Sequence, residues 1–205
     1  MTTVSIGFRA KTGRAIAIAL ARDKSGPVFA ARWNVSLYDP RVPATGQPHH
    51  EVMELPWKDA QVAVRKFESR IENLASRELD RLLKDLESRG YSVGSVAVVG
   101  SPDRNLEKIG NPHIRAHAAE GILFRHVLEV AAAEHQLQCR SLSDRDLEKV
   151  AVSELHQKPE ALKAVLAAIG QSAGRPWRTD ERAAATAAWL MLAVHGQRAA
   201  RAASR

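Results

Sequence analysis

The apolar periodicity of this chain changes once, near Trp57, and that change restricts the folds open to it. Before Trp57, three β-rich runs, Val4 to Phe8, Ala15 to Leu20 and Val28 to Val35, are separated only by Lys11-Thr12-Gly13 and Asp23-Lys-Ser-Gly26. Short runs joined by turn residues predict an antiparallel meander. Between Trp57 and Arg89, the residues Val64, Phe67, Ile71, Leu74, Ala75, Leu79, Leu82 and Leu86 recur mostly at three- and four-residue steps. That spacing predicts one long amphipathic helix, ended by Gly90. Val93 to Val99 is β-branched and too short for a helix, so it reads as a strand buried on both faces.

The remaining chain alternates. Asn111-Pro112 opens a helix with Ile114, Ala118, Leu123, Val127 and Val130 inward, and Leu137 to Leu142 is a short fifth strand. Ser143 is expected to cap a helix from Asp144 onward, with Asp146 as the carboxylate three residues later. Pro159 opens a short helix stopping at Gly170. Gly174-Arg-Pro176 then links it to an alanine-rich helix capped by Thr179 or Asp180 and running through His195. The order β-β-β-α-β-α-β-α-α predicts an α/β domain: a mixed five-stranded sheet, antiparallel meander plus parallel strands, with helices on both faces. Residues 1–197 are assigned to this domain, with 38–55 as a proline-rich loop insertion and 198–205 as a basic tail that frays.

Composition excludes several classes. Thr2 to Arg14 carries three cations, so no secretory signal is read there. The apolar run Ala183 to Val194 is too short to span a bilayer. The cytoplasm is the expected address, with no membrane partner. A lone cysteine, Cys139, excludes an intrachain disulfide and a cysteine-based zinc site. The net charge of +7 is uneven: residues 1–50 carry +5 and 171–205 carry +4, whereas 51–90 and 91–170 carry −1 each. An excess held at both chain ends suits an anionic partner bound where the ends meet, and it also suits plain surface solvation.

Three stretches carry a family likeness. Ile6-Gly-Phe-Arg-Ala-Lys-Thr-Gly13, Val96-Ala-Val-Val-Gly100 with Asn105-Leu-Glu-Lys and the helix from His113 to Glu134, and Asp180-Glu-Arg-Ala-Ala-Ala-Thr-Ala-Ala188 resemble the first hairpin, fourth strand and last helix of ribonuclease H-like folds of the RuvC-type Holliday junction resolvase branch. In that family, carboxylates gather two magnesium ions that activate a water and stabilise the leaving oxygen of a phosphodiester. Carried over, the first-strand aspartate falls at Phe8 or Arg9 and the fourth-strand glutamate at Val99 or Gly100. The last-helix pair falls at Asp180 and Ala183, or at Glu181 and Ala184. One acidic residue survives in a matching place, and a cation at Arg9 opposes a metal by like-charge repulsion. The resemblance therefore implies a resolvase-like domain with most of its catalytic carboxylates missing, Asp180 or Glu181 being the remnant, and with no metal or cofactor expected.

Other residues offer weaker chemistry. His49-His50 is an adjacent pair in a proline-rich loop, where solvent exposure is the simpler reading. His113 and His117 stand one helical step apart, with His126 on the same helix, and lack the glutamate and third ligand of a zincin. Asp23, Asp39 and Asp103 sit in turns, where aspartate is favoured by local backbone bonding. Ser101 has no accompanying His/Asp motif. Lys11-Thr12-Gly13 is similar to the phosphate-gripping hairpin of sugar kinases, but no nucleotide-binding glycine cluster follows it.

Three functions stay open from sequence. In the first, Arg9, Lys11, Arg14, Arg175, Arg178 and Arg182 contact phosphates of a nucleic acid in a basic cleft. Duplex or branched DNA is the expected partner, because an aromatic content of 5% does not suit single-strand stacking. In the second, a rearranged carboxylate set around Asp180 and Glu181 forms an active, magnesium-dependent nuclease. In the third, the exposed face of the long helix pairs two copies of the chain as a homodimer.

Overall fold

The computed structural model describes residues 1–203, with side chains through Val194. The tail expected at 198–205 lies outside the described residues, apart from helical backbone to Ala203. Strands β1 (Thr2–Lys11), β2 (Arg14–Asp23) and β3 (Gly26–Ser36) form the meander, and β4 (Tyr91–Gly100) and β5 (Gln138–Ser143) follow. The sheet order is β3-β2-β1-β4-β5. β1 pairs antiparallel with β2 and parallel with β4, and β4 is parallel to β5, so the expected mixed five-stranded sheet is present.

Alternation along β1 sorts its side chains between two cores. Val4, Ile6, Phe8 and Ala10 point into one apolar cluster with α2 (Trp57–Ser88) and α3 (Pro112–Glu134). On the other face, Gly7 meets the backbone of α6 (Thr179–Ala203), which also packs on β2 and β4. A Cβ at Gly7 would lie 1.9 Å from the Ala184 carbonyl oxygen, so glycine sets how closely α6 approaches the sheet. Helices α4 (Leu147–Glu154) and α5 (Pro159–Ala173) complete this second layer.

α2 buries its apolar stripe and pairs charges on its outer face: Arg81 with Glu78, Lys84 with Asp80, Arg89 with Asp85. Asn111 caps α3 by accepting the Ile114 N–H at 3.0 Å, with Pro112 at the first helical position. The inward stripe of α3 differs from the expected one. Ile114 is exposed, Ala118 and Val130 are half-buried, and Ala116, Ala119, Glu120, Leu123, Phe124, Val127 and Leu128 face the core. Ile114 lies in the first turn of α3, ahead of Ala116, the first residue of the helix to be buried.

Segment 38–55 is not a bare loop. It contains a 3-10 turn, Pro43–Gly46, and a single helical turn, α1 (Pro48–Glu51), that packs on α2 and α3. Asp39 anchors it: its carboxylate accepts from Arg41 Nη2 at 3.1 Å and from Arg70 Nε of α2 at 2.9 Å.

Three expected helix ends are displaced. Asp146, not Ser143, stands before α4, and Ser143 Oγ is buried without a partner. α5 runs past Gly170 to Ala173, because Gly170 is a contact point rather than a stop: a Cβ there would meet the Trp177 ring at 2.4 Å. Gly174, with φ of +72°, ends the helix. Helix α6 starts at Thr179, so neither Thr179 nor Asp180 is its cap. Instead Glu181 accepts the Arg178 N–H at 2.8 Å. Arg32 of β3 holds the preceding linker by donating to the carbonyls of Gly174, Arg175 and Pro176. No helix among the described residues is long and apolar enough to cross a membrane.

Candidate nucleic-acid interface

The C-terminal end of β1, the segment after β5 and the start of α6 converge on one cleft. Arg9 emerges from β1 on the α6 side, with its side chain 13% exposed. Its guanidinium lies 3.0 Å from Asp144 and 3.6 Å from Asp180. Lys11 Nζ lies 3.3 Å from the same Asp180 oxygen. Two cations and two carboxylates thus cancel at the cleft floor. Beside them opens a cavity of about 460 Å³ lined by Arg9, Asp144, Lys163, Trp177, Thr179 and Arg182.

The alternative positions named by the resemblance differ in where they face. Phe8 is buried against α2 and α3, so Arg9 holds the position facing the cleft. Val99, register partner of Arg9, faces the α6 side fully buried, whereas Gly100 faces the Arg125 side chain. Asp180 points into the cleft with Ala183, while Glu181 is buried and engaged with the Arg178 N–H.

The donor set does not fit a pair of magnesium ions. Arg9 and Val99 stand where the resemblance asks for acids, and Asp144 and Asp180 already pair with cations, which leaves Glu148 as the cavity carboxylate without an ion pair among the described residues. Two unit charges 4 Å apart at a partly buried site interact with about 4 kcal/mol, so a divalent ion beside Arg9 would meet about twice that in repulsion. Asp144 is the cleft residue that sequence reasoning missed. It read there as a helix start, and no local signal tells that role from pairing with Arg9.

The six cations expected to contact phosphate are not all together. Arg9 and Lys11 are consumed by ion pairs. Arg182 lines the cleft, and Arg175 and Arg178 surround an adjoining depression that shares Ala167 and Trp177 with it. These three arginines are exposed and form no ion pair among the described residues. Arg14 lines a different groove, of about 820 Å³, with Thr12, Gly13, Tyr38 and His50.

Of the other candidates, Asp23 closes its turn by accepting from the Ser25 hydroxyl, then from the Ser25 and Gly26 N–H groups, which holds its carboxyl below the usual range. Asp103 pairs with Arg125. Ser101 packs over Gly121. His49 is buried beside Trp57, and burial, aided by the neighbouring His50, pushes its imidazole down to about 4. His50 meets His113 and His117, three histidines that the sequence does not place together.

No protein-family model matches the sequence, and comparison with curated proteins finds no match. Solved structures do match. RuvC from Thermus thermophilus is similar over 95% of this chain and 96% of its own, with 13% identity and a TM-score of 0.54. RuvC from the same organism in complex with a Holliday junction substrate matches with the same identity and TM-score, over 95% of each chain. The yeast mitochondrial Holliday junction resolvase Ydc2 also matches, at 9% identity and a TM-score of 0.47, over 98% of this chain and 86% of its own. The strand order, the antiparallel start and the agreement over nearly the whole length make this a ribonuclease H-like fold of the RuvC type.

Proposed function

We propose that this chain is a nucleic-acid-binding domain of resolvase-like architecture that does not cleave phosphodiesters at the resolvase position. The observation that carries the reading is Arg9 lying between Asp144 and Asp180. A guanidinium there occupies the place where metal ions would sit and is itself offset by the two carboxylates. It cannot activate a water. The exposed Arg175, Arg178 and Arg182 add cations that no carboxylate cancels. A structural neighbour binds a Holliday junction, so branched DNA is the ligand class to test first.

The experiment is binding and cleavage of a labelled four-way junction and a matched duplex, in EDTA and in magnesium or manganese. Binding that is the same with and without metal, with no product formed, is expected. Metal-dependent cutting that disappears in Asp180→Asn would put the nuclease reading first.

A further inference from the structure

We propose that His50, His113 and His117 form a binding site for one divalent transition cation of the zinc type, held from behind by the buried carboxylate of Glu120. The site lies on the α2/α3 side of the sheet, apart from the Arg9 cluster. It starts from helix phase: His113, His117 and Glu120 share one face of α3 at i, i+4 and i+7. Segment 38–55 docks on that face and delivers His50 from α1.

The donor atoms of the three histidines all lie within 4.8 Å of one another. The Nε2 atoms of His113 and His117 are 3.1 Å apart. A tetrahedral ion with bonds near 2.05 Å places its ligands about 3.3 Å apart, so that pair is already nearly spaced for one ion. The rings of His113 and His117 stand edge-on to His50, with centroids 5.0 and 4.3 Å from it.

Glu120 separates this cluster from a chance meeting of surface histidines. It is fully buried, and its Oε1 lies 2.8 Å from His50 Nδ1 and accepts the His50 backbone N–H at 3.3 Å. A carboxylate accepts, so Nδ1 donates and Nε2 carries the free lone pair. That Nε2 is buried and has no hydrogen-bond partner, and Glu120 Oε2 has none either. A buried carboxylate left with one histidine is costly unless positive charge lies near. A carboxylate fixing the tautomer and direction of a ligating imidazole is the outer-shell arrangement that metal sites use. The nearby Arg115 does not fill this role, since it lies over Trp57 and donates to the Ile109 carbonyl.

An all-imidazole set selects zinc, copper, nickel or cobalt over magnesium and calcium. His113 and His117 are exposed, so the fourth coordination position opens to solvent. A bound ion would clip α1 to α3.

The test is titration of untagged full-length protein with zinc chloride against a chromophoric chelator, with cobalt(II) absorption reporting coordination geometry. One equivalent per chain is expected. At a hundredfold excess over Kd, a rise in Tm of about 5–10 °C is also expected. His117→Ala removes an exposed ring and should weaken binding by about 100-fold or more. Glu120→Gln should weaken it by roughly 10- to 100-fold, and His126→Ala should not change it. Zinc binding that survives both His113→Ala and His117→Ala, that falls equally in His126→Ala, or that is weaker than micromolar overturns the proposal. If Glu120→Gln does not fold, the His117→Ala comparison still decides.

Discussion

Arg9 and Val99 are register partners on adjacent parallel strands, and both face α6. Register makes the pair informative, because a one-residue slip of β1 would turn Arg9 toward the opposite core while Val99 kept its side. The alternation that buries Phe8 against α2 and α3 is the same one that drives Arg9 into the cleft. Strand geometry therefore places Arg9, while its partners come from the turn after β5 (Asp144) and from the start of α6 (Asp180).

Restoring an acid at this position tests what Arg9 does. Arg9→Asp would set a third carboxylate beside Asp144 and Asp180 and leave Lys11 as the cation already paired there. Without divalent ions the variant should lose about 1–3 kcal/mol through unpaired carboxylates. Manganese should recover part of that loss in the variant and leave the native protein unchanged. Thermal melts of both proteins with manganese and with EDTA check this, and equal responses would mean that Arg9 does not govern metal access.

Close approach of α6 to β1 rests on Gly7. Gly7→Ala would drive a methyl group into the backbone of Ala184 and Ala188, which no rotamer change relieves. A loss of about 3 kcal/mol is expected, at the upper end for overpacking. Urea unfolding measures it, and a loss below 1 kcal/mol would show that α6 shifts freely.

Sequence legibility divides along the range of the forces. The strands, the long helix and the two-faced sheet came from local periodicity, which needs no knowledge of partners. The cleft did not, since Asp144 acquires its role only when β5 lies beside β4 and Arg9 reaches across. Gly170 read as a helix stop because glycine usually marks one, whereas Trp177 requires its bare Cα. Ile114 read as inward because one apolar residue near a helix start cannot reveal that burial begins only at Ala116. Segment 38–55 read as loop from its prolines, yet Pro43 and Pro48 open short helical turns there. His50 could not be joined to His113 and His117 from spacing, because the docking of α1 depends on Asp39, Arg41 and Arg70.

That anchor gives a pH dependence of defined sign. Arg41, then Arg70, hold the Asp39 carboxyl far below the usual aspartate range. A depressed folded pKa contributes stability above the unfolded value of about 3.9, and the contribution is lost as pH falls below it. The stability gap between the native protein and Asp39→Asn should be widest near neutral pH and narrow toward pH 3. Both arginines are exposed, so added salt should shrink the gap as well. Urea midpoints at the two pH values measure it, and a gap that widens in acid would contradict the assignment.

The binding reading makes a prediction about salt. Each phosphate neutralised by the protein releases counterions, so the slope of log affinity on log salt is about −0.9 per contact with duplex DNA. Arg175, Arg178 and Arg182 are exposed and unpaired among the described residues, whereas Arg9 and Lys11 are held by Asp144 and Asp180. Replacing the three exposed arginines with alanine should flatten the slope by as much as two to three contacts. Replacing Lys11 should change it by less than one, since Asp180 already offsets that charge. The control is Arg81, Lys84 and Arg89, each paired with an acid on α2, and its triple replacement should leave the slope nearly unchanged. A basic protein binds DNA at low salt in any event, so the comparison between triples carries the result. Equal flattening by both would mean diffuse attraction without a site. A Lys11 effect as large as that of the exposed triple would mean that DNA breaks the Asp180 pair and enters the cleft floor.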